Sequence, residues 1–442
     1  MKRFICIWGI IIASLSSVFA AKFSVDARVY PVGEKVSIEA ACDDPILMAT
    51  PRKIGVRYIS DDGLFTNNAV AGWAQYQDLP FEVKNGKIVF DITFKKQQEH
   101  VFVFVKKADT EKTKDIILNK IRVYSLSKDN FVLRPYKGAF HMHSKGSDGV
   151  DQPVDMALEC LKLGFDYMAL SDHSNYYSSV KLIADLKKYP ISMALYPAEE
   201  VHLNSCAHVQ SFGAQISITD WTKKNAKQYQ NAIDQKLKTL PDMPQESKYK
   251  LAQTCVAFDI IKANGGISVF NHPYWKPNDR TTVDSYARDA IYENFYCDAI
   301  EVVNDFDNDF YAFIKTAEVQ AKTGKRINVV GNSDAHSKKN LNNSYTIILA
   351  NSVKFKDLAD AIRSGKSLAV ENTHKDKVVF GATDDVLFAQ FLEDEFFPTI
   401  KEIRQAEYKA LEDALKGVDK NDEFKKAAEK IKKFTDGFWY KN

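Results

Sequence analysis

Residues 136–148 read YKGAFHMHSKGSD, a short apolar run that ends in two histidines and is followed by an acid. In a β-strand, side chains two residues apart point to the same face. His141 and His143 can therefore direct both imidazoles toward one metal ion, whereas a helical pair would be spaced by three or four residues. The stretch predicts a strand that carries metal-binding side chains at its end.

The same arrangement returns along the chain, as in ALSDHSN at residues 169–175, SVFNHP at 268–273 and VVGNSDAHS at 329–337. Asp334 and His336 repeat the two-residue spacing if their backbone stays extended. Functional groups gather at the carboxyl ends of strands in a parallel barrel, and imidazole with carboxylate suits Zn, Mn or Fe. The series predicts one shared metal centre, with donors among His141, His143, His173, His208, His272, His336, Asp148, Asp172, Glu199, Glu200, Glu301 and Asp334.

Three further histidines do not follow this pattern. His100, His202 and His374 are not part of the ordered series of strand-end motifs. A lone histidine in an apolar context is usually a core residue with a satisfied hydrogen bond. We therefore interpret these three as core residues.

The metal-binding motifs lie in a region that alternates short apolar strands with helices, from about residue 134 to 380, which indicates an α/β domain. One helix is clear, because Val154, Ala157, Leu158 and Leu161 follow helical spacing before Gly164. A charged helical insertion at about 220–251 is interpreted as a solvated excursion. Residues 22–130 alternate polar and apolar residues between turns, which predicts an antiparallel β-sandwich. Residues 384–442 predict a helical tail.

The first twenty residues have the composition of a cleavable signal peptide. Lys2 and Arg3 precede an apolar run that is too short to span a bilayer, and small residues end the segment. We expect a secreted or periplasmic protein without a stable membrane anchor. Without these residues, 58 of the 60 basic residues remain against 58 acidic ones. Nucleic-acid-binding proteins usually have a basic excess, so no nucleic-acid partner is expected.

The ordered series HMHS, SDG, LSDHSN, PAEE, AHV, NHP and NSDAHS resembles the PHP family, named for polymerase and histidinol phosphatase. The resemblance extends over about residues 136–369. It implies a distorted (β/α)7 TIM-like barrel, and seven strands are placed to start near Gly138, Asp166, Met193, His208, Ile267, Asp298 and Ile327.

By the same resemblance, two or three divalent ions would bind in a trinuclear site. The ligands implied by the matching motifs are His141, His143, Asp148, His173, Glu200, His208, His272, Asp334 and His336. One motif departs from the family pattern, since Ala198-Glu199-Glu200 replaces the usual Gly-x pair before the bridging acid. Glu200 fits the register better, and Glu199 is the alternative ligand.

The resemblance favours a phosphoesterase in which a metal-activated hydroxide attacks a small phosphorylated molecule. Asp172 and Glu301 are the candidates for orienting the ligands at the catalytic site. Candidate substrate contacts follow the ligand motifs in sequence. They are Lys145, Asn175, Tyr274, Trp275, Arg280 and Asn304.

Two other functions are compatible with these residues. The same hydroxide would also attack carboxylic esters, lactones or amides, because metal hydrolases share the activation step. The barrel would instead be a scaffold if the β-sandwich bound a glycan or a protein partner. The sequence leaves the natural substrate, the choice of metal and the oligomeric state open.

Overall fold

A computed structural model describes residues 21–60, 76–110, 113–202, 207–276, 283–304 and 309–441. The predicted signal peptide at residues 1–20 lies outside this range. Contacts between Cα atoms divide the chain into two compact units. The first comprises Met1–Arg28, Glu34–Phe94 and His100–Val123, and the second comprises Val29–Gly33, Lys95–Glu99 and Tyr124–Asn442.

The first unit consists mainly of strands, as the alternating pattern predicted. In β3, for example, Val36, Ile38 and Ala40 are buried while their sequence neighbours point outward. The strands of the N-terminal region are Phe23–Val25 (β1), Val29–Pro31 (β2), Lys35–Cys42 (β3), Ile54–Ser60 (β4), Gln77–Leu79 (β5), Glu82–Lys84 (β6), Lys87–Thr93 (β7), Gln98–Lys106 (β8) and Ile116–Leu126 (β9). A short helix at Pro45–Met48 (α1) and a 3-10 turn at Pro51–Lys53 precede β4.

These strands form two sheets. One has the order β1-β3-β7-β6, and the other contains β9-β8-β4-β5. The rings of Phe23 and Phe104 stack with centroids 4.3 Å apart, and those of Phe90 and Phe102 meet edge-on at 5.0 Å. The two sheets therefore contact each other through aromatic side chains. The parallel partner of β2 is the end of β9, at Tyr124–Leu126, within the second unit.

The second unit contains two sheets and most of the helices. One sheet has the order β12-β11-β10-β18-β19-β20, and the other has the order β13-β14-β15-β16-β17. Their strands are Arg134–Ala139 (β10), Tyr167–Met168 (β11), Ala194–Leu195 (β12), Ala198–His202 (β13), His208–Phe212 (β14), Ile267–Phe270 (β15), Ala299–Val303 (β16), Val329–Gly331 (β17), Ser344–Ala350 (β18), Ser367–Glu371 (β19) and Val378–Phe380 (β20).

The α/β class is confirmed, but the strands of the described residues do not form one closed, hydrogen-bonded barrel. Isolated bridges join the two sheets at Met142–Ala335 and at His173–Glu200. Only a few hydrogen bonds connect β10, β11 and β12, because β11 and β12 are two residues long. In addition, β14 runs antiparallel to both of its neighbours, so the parallel arrangement expected for this strand is wrong.

The predicted helix before Gly164 is confirmed at Pro153–Leu163, and Gly164 ends it with a left-handed φ of 84° that favours glycine. The other helices are Lys128–Phe131 (α2), Tyr176–Leu186 (α4), Ile218–Lys224 (α5), Ala226–Leu237 (α6), Gln245–Ala263 (α7), Ser285–Asn294 (α8), Asp309–Thr323 (α9), Phe355–Arg363 (α10), Thr383–Glu395 (α11), Phe397–Leu415 (α12) and Asn421–Phe438 (α13), with Pro153–Leu163 as α3. A 3-10 turn lies at Lys338–Asn340.

The insertion at residues 220–251 is helical, but it is more than a solvated excursion. Ile233, Leu240 and Leu251 are buried and belong to the same apolar cluster as Val209 of β14 and Phe270 of β15. The insertion therefore packs against one face of the second sheet. Burial of such side chains contributes about 1.5–3 kcal/mol each.

The helical C-terminal region is also part of the second unit. Phe391 and Ile400 lie in one apolar cluster with Ala139 of β10. Arg404 adds a buried ion pair with Asp166, at 2.7 Å. None of the helices in the described ranges is long and apolar enough to cross a membrane.

Candidate metal centre

The second unit brings the predicted ligands together at one place. The ends of β10, β11, β15 and β17 meet the strand β13 and the first residue of β14 there. His208 reaches this place from the start of its strand because β14 runs in the opposite direction. Four overlapping groups have donor atoms within 4.8 Å of one another: His141, His143, Glu200 and Asp334; Glu200, His208 and His272; His143, Asp148, His173 and His336; and His173, Glu200 and His202.

Glu200 is the centre of this arrangement. Its Oε1 lies 3.2 Å from a ring nitrogen of each of three histidines, namely His141, His208 and His272. Its Oε2 lies 2.7 Å from Nδ1 of His173 and 3.4 Å from Nε2 of His143. The two carboxylate oxygens thus face different sets of imidazoles, as a bridging ligand requires.

Glu199 has a different environment. It directly precedes Glu200 in β13, so its side chain points to the opposite face of the strand. It accepts hydrogen bonds from the backbone nitrogens of Ile218, at 2.9 Å, and Thr219, at 3.3 Å, at the start of α5. Of the two alternatives left open by the sequence, the structure places Glu200 among the histidines and Glu199 at a helix N-terminus.

Asp334 and His336 lie in the cluster but do not repeat the His141–His143 geometry. Oδ1 of Asp334 lies 2.8 Å from Nε2 of His143, whereas Nε2 of His336 lies 3.3 Å from Oδ2 of Asp148. The expectation of an extended backbone is wrong, because Asp334 has a φ of 48°. The left-handed conformation sends the two side chains to different donor groups.

Left-handed backbone recurs next to other donors. His272 has a φ of 24° and Ser174, which follows His173, has a φ of 51°. Such conformations cost about 1–3 kcal/mol each in residues other than glycine and often occur at functional sites. The surrounding packing must offset this strain in order to direct the imidazoles toward Glu200.

The charges in the cluster favour ionised carboxylates. Burial is the strongest single influence on Glu200 and raises its pKa, but His141 and His208 together with other histidines hold the pKa well below the usual range. Asp334 behaves in the same way. Burial lowers the pKa of His208 to about 4. Both carboxylates are thus held in the ionised form, which is the form in which a carboxylate binds a metal ion.

Several buried polar atoms in the centre lack a hydrogen bond to the described residues. Among the donors they are both ring nitrogens of His143, Nδ1 of His173, Oε2 of Glu200 and Oδ1 of Asp334. These atoms approach one another without aligning a donor with an acceptor. Burial of unsatisfied polar atoms is unfavourable, and a bound cation would satisfy them. The donor set therefore fits two or three divalent ions, with imidazole and carboxylate ligands that suit Zn, Mn or Fe.

Glu301, predicted to orient ligands, contacts two of the predicted ligand residues. Its Oε1 lies 2.9 Å from Nδ1 of His141, and its Oε2 accepts a hydrogen bond from the backbone nitrogen of His272, at 3.0 Å. Asn304 and Asn332 also donate to this carboxylate. Glu301 therefore positions two ligand residues without contacting the space between the donors.

Asp172 supports a loop instead of a ligand ring. It accepts hydrogen bonds from the backbone nitrogen and hydroxyl of Ser144, at 2.6 and 2.7 Å, and from the hydroxyl of Ser147, at 2.9 Å. Asn175 contributes to the same loop by donating to the carbonyl of Gly146. These bonds fix the turn between His143 and Asp148.

The described residues among the remaining predicted substrate contacts lie in different environments. Lys145 is exposed on the loop that carries Asp148, and its contact with substrate stays a prediction. Asn304 is completely buried and donates a hydrogen bond to Glu301, and its contact with substrate stays a prediction. Tyr274 packs under the guanidinium of Arg288, at 4.2 Å, and not against the donors. Arg280 lies outside the described residues.

Trp275 is the aromatic neighbour of the centre. Its ring centroid lies 5.0 Å from that of His272 and 5.5 Å from that of His208. Of the three histidines interpreted as core residues, only His100 is buried. His374 is exposed and His202 lies in the cluster. The two-residue spacing from Glu200 was the sequence signal that would have identified His202.

The fold and the site define an α/β protein with a cluster of histidine and carboxylate donors that can hold several metal ions. Comparison with protein families agrees with this class, because residues 139–297 match the PHP domain and residues 319–367 match the PHP-associated segment. The chain therefore contains a PHP domain, and the resemblance inferred from the ligand motifs is confirmed. Together, the domain and the donor set support a metal-dependent hydrolase.

Individual relatives are more distant. A segment of 57 residues is 44% identical to the DNA polymerase/3'-5' exonuclease PolX of Bacillus subtilis, and the match covers 13% of this chain and 10% of that protein. The chain thus spans about a tenth of the length of this curated relative.

Among solved structures, a two-domain protein of Bacteroides vulgatus, described as containing a predicted PHP-like metal-dependent phosphoesterase, is 19% identical with a TM-score of 0.41. The match covers 59% of this chain and 70% of that one. A lesion-specific endonuclease of Pyrococcus furiosus is 14% identical, with a TM-score of 0.35 and coverage of 58% and 72%. At this level the similarity concerns parts of the fold and not the reaction.

Proposed function

We propose that the protein is an exported metal-dependent phosphoesterase that hydrolyses phosphate esters of small organic molecules. The observation that carries this proposal is the position of Glu200, whose two carboxylate oxygens face separate sets of imidazoles. A carboxylate in this position can join two adjacent cations. Adjacent cations suit the attacking and leaving oxygens of a phosphoryl transfer.

The donor groups that contain Asp148, Asp334, and His208 with His272 would hold the ions. When bound, divalent ions supply Lewis acidity that lowers the pKa of a water molecule and offsets charge on a phosphoryl group. The chain contributes the orientation of the donors. Glu301 fixes the ring of His141 and the backbone of His272, while Asp172 fixes the loop that carries Asp148.

One side of the centre is accessible to a substrate. The side chains of Asp148 and His336 are 54% and 39% exposed, whereas Glu200 and His141 are fully buried. Lys145 is exposed on the same loop as Asp148. We propose that the substrate approaches over this side, with the Lys145 ammonium near its anionic group and the Trp275 ring bordering the histidines.

The proposed substrate class rests on charge. Residues 21–442 carry equal numbers of basic and acidic side chains, so a long polyanion gains little from general electrostatic attraction. PolX and the Pyrococcus furiosus endonuclease, however, have names that refer to nucleic acids. A phosphodiester is therefore the second candidate bond, and the choice of assay substrates must separate the two.

Export and domain boundaries complete the proposal. The composition of residues 1–20 favours a cleaved signal peptide, which would release the mature chain at Ala21. We interpret the two sheets of the second unit, with their bridges at Met142–Ala335 and His173–Glu200, as the distorted barrel of residues 134–380. The paired sheets at residues 22–130 are interpreted as a β-sandwich, and residues 384–442 as the helical tail.

The test is hydrolysis by the chain from Ala21 onward, with p-nitrophenyl phosphate, bis-p-nitrophenyl phosphate and p-nitrophenyl acetate compared side by side. Each assay is run with added Mn²⁺ and again after chelation and dialysis. Chelator-sensitive turnover of a phosphate ester supports the proposal, and the ratio of the two phosphate rates separates a phosphatase from a phosphodiesterase.

The control is Glu200→Gln, which keeps the shape of the side chain and removes its charge. Turnover by this variant at the wild-type rate would contradict the proposed role of Glu200. Turnover of the acetate alone, by protein shown to contain metal, would replace the phosphoesterase with a hydrolase of carboxylic esters. Metal-loaded protein that hydrolyses none of the three would contradict the proposal for simple esters.

A further inference from the structure

His202 lies on the same face of β13 as Glu200, because residues two apart in a strand share a face. The antiparallel register of β13 and β14 places His202 directly opposite His208. The alternation of side chains along β13 and its pairing with β14 therefore place His202 next to Glu200 and His208. It has no counterpart among the ligands implied by the family motifs.

The contacts of His202 are with the donors themselves. Its ring stacks on that of His208, with centroids 3.9 Å apart and an interplanar angle of 20°, and its centroid lies 4.1 Å from that of His173. Its Nε2 lies 3.6 Å from Oε2 of Glu200. Oε2 consequently faces three imidazoles, as Oε1 does. Packing alone would bury the ring, yet 37% of the His202 side chain is exposed.

His173 lies between two donor groups. Its Nδ1 is 2.7 Å from Oε2 of Glu200, while its Nε2 is 3.3 Å from Oδ2 of Asp148. A neutral imidazole has one nitrogen lone pair for a metal ion. His173 can therefore complete only one of the two groups at a time.

We infer that His202 is an additional donor of the metal centre and that it forms, with Glu200 and His173, a cation position on the accessible side. This position competes for His173 with the position formed by His143, Asp148 and His336. The inference rests on the metal centre of the proposed function and does not depend on which bond is cleaved.

Two consequences follow from a shared ligand. Because His173 can serve only one of the two groups at a time, an ion held at the outer side would lack one donor, and it should be the weakest bound and the fastest to exchange. Removal of His202 eliminates one of the two positions. The ions bound between His141, His208, His272 and the inner carboxylates should be unaffected.

The experiment compares the wild-type chain with His202→Ala, His202→Asn and, as a matched control, the exposed histidine variant His374→Ala. Metal-free proteins are titrated with Co²⁺ in competition with a chromophoric chelator, and the number of bound ions is measured by mass spectrometry after dialysis. Circular dichroism checks the fold. Exchange of bound Co²⁺ for added Zn²⁺ is followed by loss of the cobalt absorption.

We expect both His202 variants to bind the weakest ion at least about tenfold less tightly, with faster exchange or complete loss of that ion and unchanged tighter sites. His374→Ala should match the wild type. Folded His202 variants with wild-type stoichiometry, affinity and exchange would overturn the inference while leaving the metal centre intact. A wild-type chain that binds no Co²⁺ would instead remove the metal centre, and the proposed function with it.

Discussion

Nδ1 of His141 lies 2.9 Å from Oε1 of Glu301, and both side chains are completely buried. This contact leaves the other ring nitrogen of His141 to face Glu200 and Asp334, each at 3.2 Å. A carboxylate behind a histidine fixes the orientation of the ring and increases its basicity as a ligand. The relationship determines which nitrogen of His141 is presented to a metal.

Glu301→Gln should therefore weaken metal binding without removing a donor. We expect an affinity loss of about 10- to 100-fold at the ion nearest His141, since an amide no longer fixes the ring as a charged acceptor does. The measurement is a chelator-competition titration. Glu293→Gln, a partly exposed glutamate paired with Lys322, serves as the control. Equal affinities in wild type and Glu301→Gln would show that this orientation is unimportant.

Glu200→Gln should reduce metal binding, whereas Glu199→Gln should reduce the stability of the fold. The first change removes the carboxylate between the imidazoles, so we expect loss of most bound metal. The second removes an acceptor at the start of α5, which should lower the free energy of unfolding by about 1 kcal/mol with unchanged metal content. Mass spectrometry of bound metal and chemical denaturation measure the two effects. Loss of metal in Glu199→Gln but not in Glu200→Gln would reverse the assignment.

Asp172→Asn should affect the outer group of donors. The change places an amide donor beside the Ser144 and Ser147 groups that now donate to the carboxylate. We expect the loop to shift and the site that includes Asp148 to bind metal about 10- to 100-fold less tightly. Cobalt titration resolves this site from the inner ones. A selective effect on the inner sites would contradict the loop-supporting role.

Metal should also stabilise the folded chain. A ligand that binds only the native state at about 100 times its dissociation constant adds roughly 2.7 kcal/mol to the free energy of unfolding. We expect added Mn²⁺ to raise the denaturation midpoint and chelation to lower it. Glu200→Gln should respond much less. If the denaturation midpoint is the same with and without Mn²⁺, in protein shown to bind it, then Mn²⁺ binds the unfolded chain as tightly as the folded one.

Lys137 predicts a pH dependence outside the site. Burial lowers its pKa from 10.5 to about 8, with its Nζ 3.9 Å from the ring centroid of Tyr345 and 3.7 Å from Glu393. Between about pH 8 and 10.5 the unfolded chain keeps this proton and the folded chain releases it. The contribution of Lys137 to the free energy of unfolding must therefore rise with pH in this window.

Lys137→Met lacks this contribution, and Glu393 keeps Lys377 as a partner. The free energy of unfolding of the variant minus that of the wild type should fall by up to about 3 kcal/mol across the window. Urea denaturation at several pH values measures this difference. Contributions from titrating groups that both proteins share cancel in it. Lys162→Met, at an exposed lysine, should show a constant difference. A constant difference for Lys137→Met would contradict a lowered pKa.

The donors of the metal centre were largely readable from sequence because strand periodicity is local. His141 and His143 share a face whatever the rest of the chain does. His202 obeys the same rule relative to Glu200, but a single histidine is ambiguous until its neighbours in space are known. Its register partner His208 belongs to another strand, and that pairing became apparent only in the sheet.

The roles of the supporting residues could not be read in this way. Asn304 follows a ligand motif in sequence, yet it lies behind Glu301 and is fully buried. Asp172 immediately precedes His173 but points to the neighbouring loop at Ser144. Whether a residue next to a motif faces the substrate or the core depends on segments that are distant in sequence.

By itself, the sequence determined the α/β class, the helix that ends at Gly164 and the set of imidazole and carboxylate donors. These features follow from residue type and short-range spacing, which act within a few residues. Only the tertiary structure decided that β14 runs antiparallel, that Asp334 adopts a left-handed backbone and that Glu200, not Glu199, faces the histidines. Those outcomes depend on packing between distant segments, because burial and pairing across sheets override local preference.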